Sequence, residues 1–178
     1  MKIIFLDIDG VLSTPEYIMY LCHHHEKGRL YAWEAQFQFK PCIMRHLVDI
    51  VNRTDAYIVI SSMWRLFGDR RQVEFDLWKK GEHIIEDEHW NQMMDKLNEY
   101  GIGNRVIGIT PYFCGVNDKR GDEIRDWLSW HPDVEKFVII DDDSDMKEFT
   151  KTKLAKCHRW FGLTKKIKEK AIKILNRG

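Results

Sequence analysis

Two clusters of acids in this 178-residue chain stand where they could do chemistry. Asp7-Ile8-Asp9-Gly10 follows an apolar run from Lys2 to Leu6, and Asp141-Asp142-Asp143 follows another from Phe137 to Ile140. Residues two apart on an extended segment point the same way, so Asp7 and Asp9 address one site, and Gly10 lets the chain turn sharply behind them. Two carboxylates about 4 Å apart repel by roughly 4 kcal/mol at an effective dielectric near 20, so four or five brought together call for a divalent cation. With no histidine or cysteine at the matching positions, the donor set is all oxygen and selects a hard ion. Mg²⁺, which keeps waters and a substrate oxygen, fits best. Solvated loop acids would account for a single DxD, but less readily for two clusters ending two apolar strands.

Two further groups complement these acids. Tyr57 to Ile60 runs into Ser61-Ser62, whose hydroxyls can bind a phosphoryl oxygen without adding charge. Lys119-Arg120 precedes Gly121 and a helical stretch beginning near Glu123, and supplies a cation to offset the acids and hold a transferring phosphoryl group. Taken singly, a Ser-Ser pair is an ordinary turn and a Lys-Arg pair an ordinary wet surface. Their order along the chain carries the information.

The elements that must position these groups are legible from periodicity. Lys2 to Leu6, Tyr57 to Ile60, Arg105 to Ile109 and Phe137 to Ile140 read as buried strands, with Leu154 to Trp160 a weaker fifth. Between them apolar residues recur at helical spacing: Ile43, Met44, Leu47, Val48 and Val51 after Pro41, then Trp90 to Tyr100 stopped by Gly101. Ile124, Trp127 and Leu128 mark a third helix, and Ile167, Ala171, Ile174 and Leu175 a last one capped by Thr164. This alternation predicts an α/β fold with a parallel sheet of about five strands and helices on both faces, its ligands bound beyond the carboxyl ends of the strands. The length, with 44% apolar residues and no repeat or linker, predicts a single domain spanning residues 1–178 that buries roughly 70% of its unfolded surface. Segments 13–40 and 66–104 are the places for a small cap.

Lys plus Arg and Asp plus Glu number 28 each, which excludes tight nonspecific binding to nucleic acid or an acidic membrane through net charge. Cys22, Cys42, Cys114 and Cys157 are scattered without a CxxC pair, which predicts reduced thiols. The early acids rule out a signal peptide or membrane span at the start, so a cytoplasmic protein with no obligate protein partner is expected.

The series DIDGVL, a strand ending at Ser61, a basic residue before a helix at Lys119 or Arg120, and VIIDDD resembles the four motifs of the haloacid dehalogenase (HAD) superfamily in their usual order. The resemblance implies a HAD-like Rossmannoid fold, capless or with a small cap, and phosphoryl transfer through an aspartyl-phosphate. Asp7 would be the nucleophile and Asp9 the acid/base. Ser61 is preferred over Ser62 for the phosphate, with Gly10 beside them. By the same resemblance Mg²⁺ would be held by the Asp7 side chain, the Asp9 backbone carbonyl and an acid of the Asp141/Asp142 pair. The superfamily has one motif lysine; charge type favours Lys119, and the spacing of RGDEIxxWL favours Arg120.

More narrowly, Ser61-Ser62-Met63-Trp64-Arg65, Arg120 to Ile124 with Trp127-Leu128, the Asp141 to Asp143 run and Gly162-Leu163-Thr164 resemble the HAD domains of "Swiss Army Knife" RNA-repair proteins. That likeness implies a phosphomonoesterase acting on nucleic-acid ends, narrowly ahead of one for free nucleotides or other small phosphate esters. A noncatalytic signalling module such as a response-regulator receiver fits worse, because there the acid pair leads and the phosphorylated aspartate lies on a middle strand. A degenerate binding platform fits worse still with both Asp7 and Asp9 present.

Other features have plainer readings. Cys22-His23-His24-His25 lacks partners at zinc spacing. Trp64 and Arg65 could clamp a substrate, but a core tryptophan beside a surface arginine is as good a reading. Tyr112, Phe113 and Cys114 could floor a pocket or pack under a loop. The lysine-rich tail from Lys165 to Arg177 reads better as a solvated helix face than as a nucleic-acid footprint.

Overall fold

The computed structural model describes residues 1–24, 30–66, 88–113 and 119–177. Its centre is a five-stranded, all-parallel sheet of order β3-β2-β1-β4-β5, formed by β1 (Lys2–Leu6), β2 (Tyr57–Ile60), β3 (Val106–Ile109), β4 (Lys136–Asp141) and β5 (Leu154–Lys156). The three inner strands are nearly continuous runs of buried Ile, Val, Leu and Phe, as a sheet covered on both faces requires.

Side chains alternate across β1, so its even and odd residues enter two separate cores. Ile4 and Leu6, with Ile58, Ile60, Val138 and Ile140, face α3 (Pro41–Thr54), α4 (Glu88–Glu99) and α6 (Lys165–Asn176) through Leu47, Leu97 and Leu175 among others. Ile3 and Phe5, with Val59 and Ile139, face α5 (Arg120–Ser129). There Phe5 meets Trp127 edge to face at 5.3 Å between centroids, a geometry that adds to simple area burial.

Two helices begin where the sequence predicts, whereas α5 starts at Arg120, three residues before the expected Glu123. Pro41 opens α3, where its missing N–H costs nothing, and Thr164 Oγ1 accepts the Ile167 N–H at 3.5 Å to cap α6. Two ion pairs tie α6 to α3: Lys168 with Asp49, and Glu169 with Arg53 at 3.1 Å. The fifth strand is shorter than expected and stops at Lys156. Beyond it the chain makes a turn in which the Phe161 and Gly162 N–H groups both donate to the His158 carbonyl.

Segment 13–40 contains two helices, α1 (Pro15–His24) and α2 (Ala32–Ala35), which pack on each other. Of segment 66–104, residues 67–87 lie outside the described residues, as do Cys114 and His25. His24 bonds the Tyr20 carbonyl through Nδ1 and stacks on the Tyr20 ring. Cys22, Cys42 and Cys157 are free thiols. Among the described residues no helix is long and apolar enough to cross a membrane.

Candidate active site

Strand register decides where the acids go. Leu6 pairs with Ile60 on one side and Ile140 on the other, so Asp7 and Ser61, one step beyond β1 and β2, stand level with Asp141, the last residue of β4. Backbone hydrogen bonds carry the ladder past the strand ends: Asp7 N–H to the Ile140 carbonyl at 3.0 Å, and Ser61 N–H to the Leu6 carbonyl at 2.9 Å. Cys157 N–H reaches the Asp141 carbonyl at 2.7 Å. The functional side chains therefore grow from hydrogen-bonded backbone.

Two glycines allow the close approaches that finish the site. Gly10 sits at φ 71°, and a Cβ there would lie 2.4 Å from Asp142 Oδ2. Its N–H is taken by the Ser13 carbonyl at 2.7 Å. Gly121 packs α5 onto the segment after β4 so tightly that a Cβ would come within 2.6 Å of the Met146 backbone. That contact brings the start of α5 to the acids.

It also separates the two candidate cations. Lys119 is the residue before the helix; its N–H donates to the Asp122 carboxylate and its side chain is exposed. Arg120, the first helical residue, turns inward. Its Nη1 lies 3.0 Å from Asp7 Oδ1 and 2.5 Å from Asp141 Oδ2.

Asp7, Asp9 and Asp142 line one open cavity of about 390 Å³ together with Ser62, Arg120 and Asp143. Met63 and Arg159 complete its described lining. Carboxylate oxygens of Asp7, Asp141 and Asp142 lie within 4.8 Å of one another. Burial and the neighbouring Asp141 charge push the Asp7 carboxyl up to about 7, against the pull of Arg120 and a Ser62 hydrogen bond. Burial also raises Asp141, with Arg120 opposing, and raises Asp9, with Trp64 opposing.

Of the two serines, Ser62 reaches the cavity and Asp7, whereas the Ser61 hydroxyl is wholly buried and has no hydrogen-bond partner among the described residues.

Trp64, Arg65 and Glu123 belong to this neighbourhood in ways the sequence reading did not assign. Trp64 is buried, and its indole Nε1–H donates to Asp9 Oδ2 at 2.9 Å, so the core residue also orients an acid of the cavity. Arg65 is not the surface residue expected: its side chain is 2% exposed. Its Nη1 donates to the Ser61 and Ser62 carbonyls at 2.8 and 2.6 Å, and its Nη2 to Glu123 Oε2 at 2.7 Å. Glu123, 8% exposed, also accepts the Phe113 N–H at 3.1 Å. The cost of burying this guanidinium is offset because a carboxylate and two carbonyls surround it. A signal existed in the sequence: Glu123 falls one turn after Arg120, on a helix otherwise expected to turn apolar residues inward.

The site is thus a set of acids at the ends of β1 and β4, with hydroxyls at the end of β2 and one inward guanidinium, as a HAD-type phosphatase would have. No curated protein and no solved structure matches the chain. The model of one family, described as the HAD domain in Swiss Army Knife RNA repair proteins, matches residues 3–167, and the chain belongs to that family.

Proposed function

We propose that this HAD domain is a Mg²⁺-dependent phosphomonoesterase working through an aspartyl-phosphate on Asp7, with nucleic-acid ends as its substrates. The observation that carries the reading is the convergence of Asp7, Asp9, Asp142 and Arg120 on one open cavity. Five carboxylates, counting Asp141 and Asp143, face only Arg120 and Arg159 among the described residues there. An excess of negative charge with an all-oxygen donor set fits a hard divalent ion. Mg²⁺ would be held by the Asp7 side chain, the Asp9 carbonyl and Asp141 or Asp142, and it supplies the positive charge that lets an anionic nucleophile meet an anionic phosphate.

Asp7, ionised, attacks phosphorus with a carboxylate oxygen. As that bond forms, the phosphorus–oxygen bond to the leaving group breaks, and the departing oxygen takes the proton held by Asp9. A carboxyl raised by burial, as Asp9 is, suits the donation. Asp9 then accepts a proton from water while the water oxygen attacks phosphorus. The bond to Asp7 breaks, which restores its carboxylate and frees inorganic phosphate. Arg120 and the Ser62 hydroxyl stand where they can bind the equatorial phosphoryl oxygens. Lys119 is exposed and is not among the described lining residues of the cavity.

The test is phosphate release from p-nitrophenyl phosphate with and without Mg²⁺, wild type against Asp7→Asn. Release that needs both the metal and Asp7 is expected; equal release by the variant would refute the reaction. Oligonucleotides bearing 3′ or 5′ phosphates, compared with free nucleotides, then test the substrate. Nucleic-acid ends are carried here by the description of the family, and a preference for free nucleotides by orders of magnitude would move the proposal to small esters.

A further inference from the structure

The acids and Arg120 account for the phosphoryl group, but part of the cavity mouth serves neither metal nor phosphate. Among the described lining residues Met63 is the one apolar side chain, and it is 46% exposed. Arg159 also lines the cavity, with Nε 3.9 Å from Asp142 Oδ2, beyond hydrogen-bond distance, and its side chain is mostly in solvent. Trp160 and Phe161 follow in the same turn and are 42% and 56% exposed.

The turn that presents them is well anchored. Its N–H groups close on His158, through the Phe161 and Gly162 bonds to the carbonyl and a 3.2 Å bond from Trp160 N–H to Nδ1. The His158 and Phe161 rings lie 5.1 Å apart. The Leu163 N–H donates to the Val11 carbonyl at 3.0 Å, tying the turn to the segment just past Asp9 and Gly10. A cation and two large aromatics held in water beside an anion site form a surface with a chemical preference.

Resting on the phosphomonoesterase reading above, we propose that the 158–161 turn and Met63 form a subsite for the nucleotide flanking the terminal phosphate of a single-stranded nucleic acid. Arg159 holds the flanking phosphodiester, and Trp160, Phe161 and Met63 provide apolar faces for the base. Charge complementarity selects a second anion, and the aromatics select a flat ring next to it. A nucleotide unit carries both at fixed spacing. The end base of a duplex is held by its partner strand with one face stacked, whereas an unpaired base turns freely onto the aromatics, so a single strand is the ligand.

The full chain carrying Asp7→Asn, with Mg²⁺, is titrated with a dye-labelled single-stranded oligonucleotide bearing a terminal phosphate. Parallel titrations use the same strand with abasic terminal units, a mononucleotide and a phosphopeptide, all followed by anisotropy. The intact strand is expected to bind about tenfold or more tightly than the abasic one. Trp160→Ala with Phe161→Ala should erase that difference. Arg159→Gln should make the log–log salt dependence shallower by about 0.7, the value for one phosphate contact on a single strand. Equal binding of intact and abasic strands overturns the subsite. So does a mononucleotide or phosphopeptide bound as tightly as the strand.

Wild-type hydrolysis of p-nitrophenyl phosphate separates the two claims. Hydrolysis without discrimination between strands removes the subsite and leaves the phosphatase. Discrimination without hydrolysis does the reverse.

Discussion

Arg65 and Arg120 are both drawn into the protein at the same sheet edge, and their surroundings could hardly differ more. Arg65 is enclosed: two carbonyls, the Glu123 carboxylate and the Pro111 carbonyl at 3.3 Å receive its terminal nitrogens. Burial lowers its pKa and Glu123 holds it up. Arg120 shares a single nitrogen between Asp7 and Asp141 and stands beside an open cavity. Burial works against its charge as well, but Asp141 and Asp7 more than offset it and raise its pKa. A cation whose two terminal nitrogens both meet acceptors makes a joint between two elements. A cation outnumbered by acids leaves the site short of positive charge, a shortage that the proposed metal ion would answer.

The sharpest way to break this contrast is at the acids themselves. Asp7→Asn is expected to reduce phosphate release to background in a p-nitrophenyl phosphate assay while the chain stays folded, because the amide keeps the shape and loses the nucleophile. Arg65→Ala or Glu123→Ala should instead destabilise the fold by about 3–5 kcal/mol in urea unfolding, since each strands a buried charge. Replacing both by apolar residues, Arg65→Met with Glu123→Leu, should recover much of that loss. If the double variant is no better than either single one, the pair is not the joint described.

Arg120→Ala comes next, with kcat expected to fall by about 10²–10³ as for other lost donors to a reacting anion. Its loss of stability should be smaller than that of Arg65→Ala, because Asp7 and Asp141 can take up a proton. A larger loss would place Arg120 with the structural cation.

Smaller effects follow pH. Without metal, the Asp7 carboxyl is pushed up to about 7 in the folded chain, against the ordinary 3.8 of an aspartate when unfolded. Between those values the folded state holds more protons, so stability falls as pH rises. The penalty is absent below about 4 and complete above about 7. Thermal unfolding from pH 4 to 8 should show this slope, and Asp7→Asn should flatten it. Mg²⁺ should stabilise more at pH 8 than at pH 5, since it displaces the proton. The finest change is Trp64→Phe, which keeps the ring and removes the bond to Asp9. That bond holds the Asp9 carboxyl down, so the alkaline limb of the pH–rate profile should move upward.

Most of the architecture could be read in advance because it is written in local pattern. Apolar runs marked four strands and, more weakly, the fifth, and helical spacing marked α3 to α6. The acids, serines and basic pair sat at strand or helix ends where a parallel sheet gathers its ligands. Boundaries were less legible. The fifth strand stops at Lys156 because the chain next closes a turn on His158, a contact no periodicity encodes. Local pattern also leaves two neighbours of one type equivalent. Lys119 and Arg120 are told apart only by which falls inside α5, and Ser61 and Ser62 only by which side chain clears the sheet edge.

Residue types and their order thus settle a parallel α/β sheet and put acids, hydroxyls and a basic pair at its rim, since burial and helical or strand periodicity are properties of short segments. Partnerships between distant segments were decided by the tertiary structure alone: Trp64 with Asp9, Arg65 with Glu123, Arg120 with both Asp7 and Asp141. Those pairs depend on strand register and on how closely α5 can approach, and both come from the packing of the whole chain.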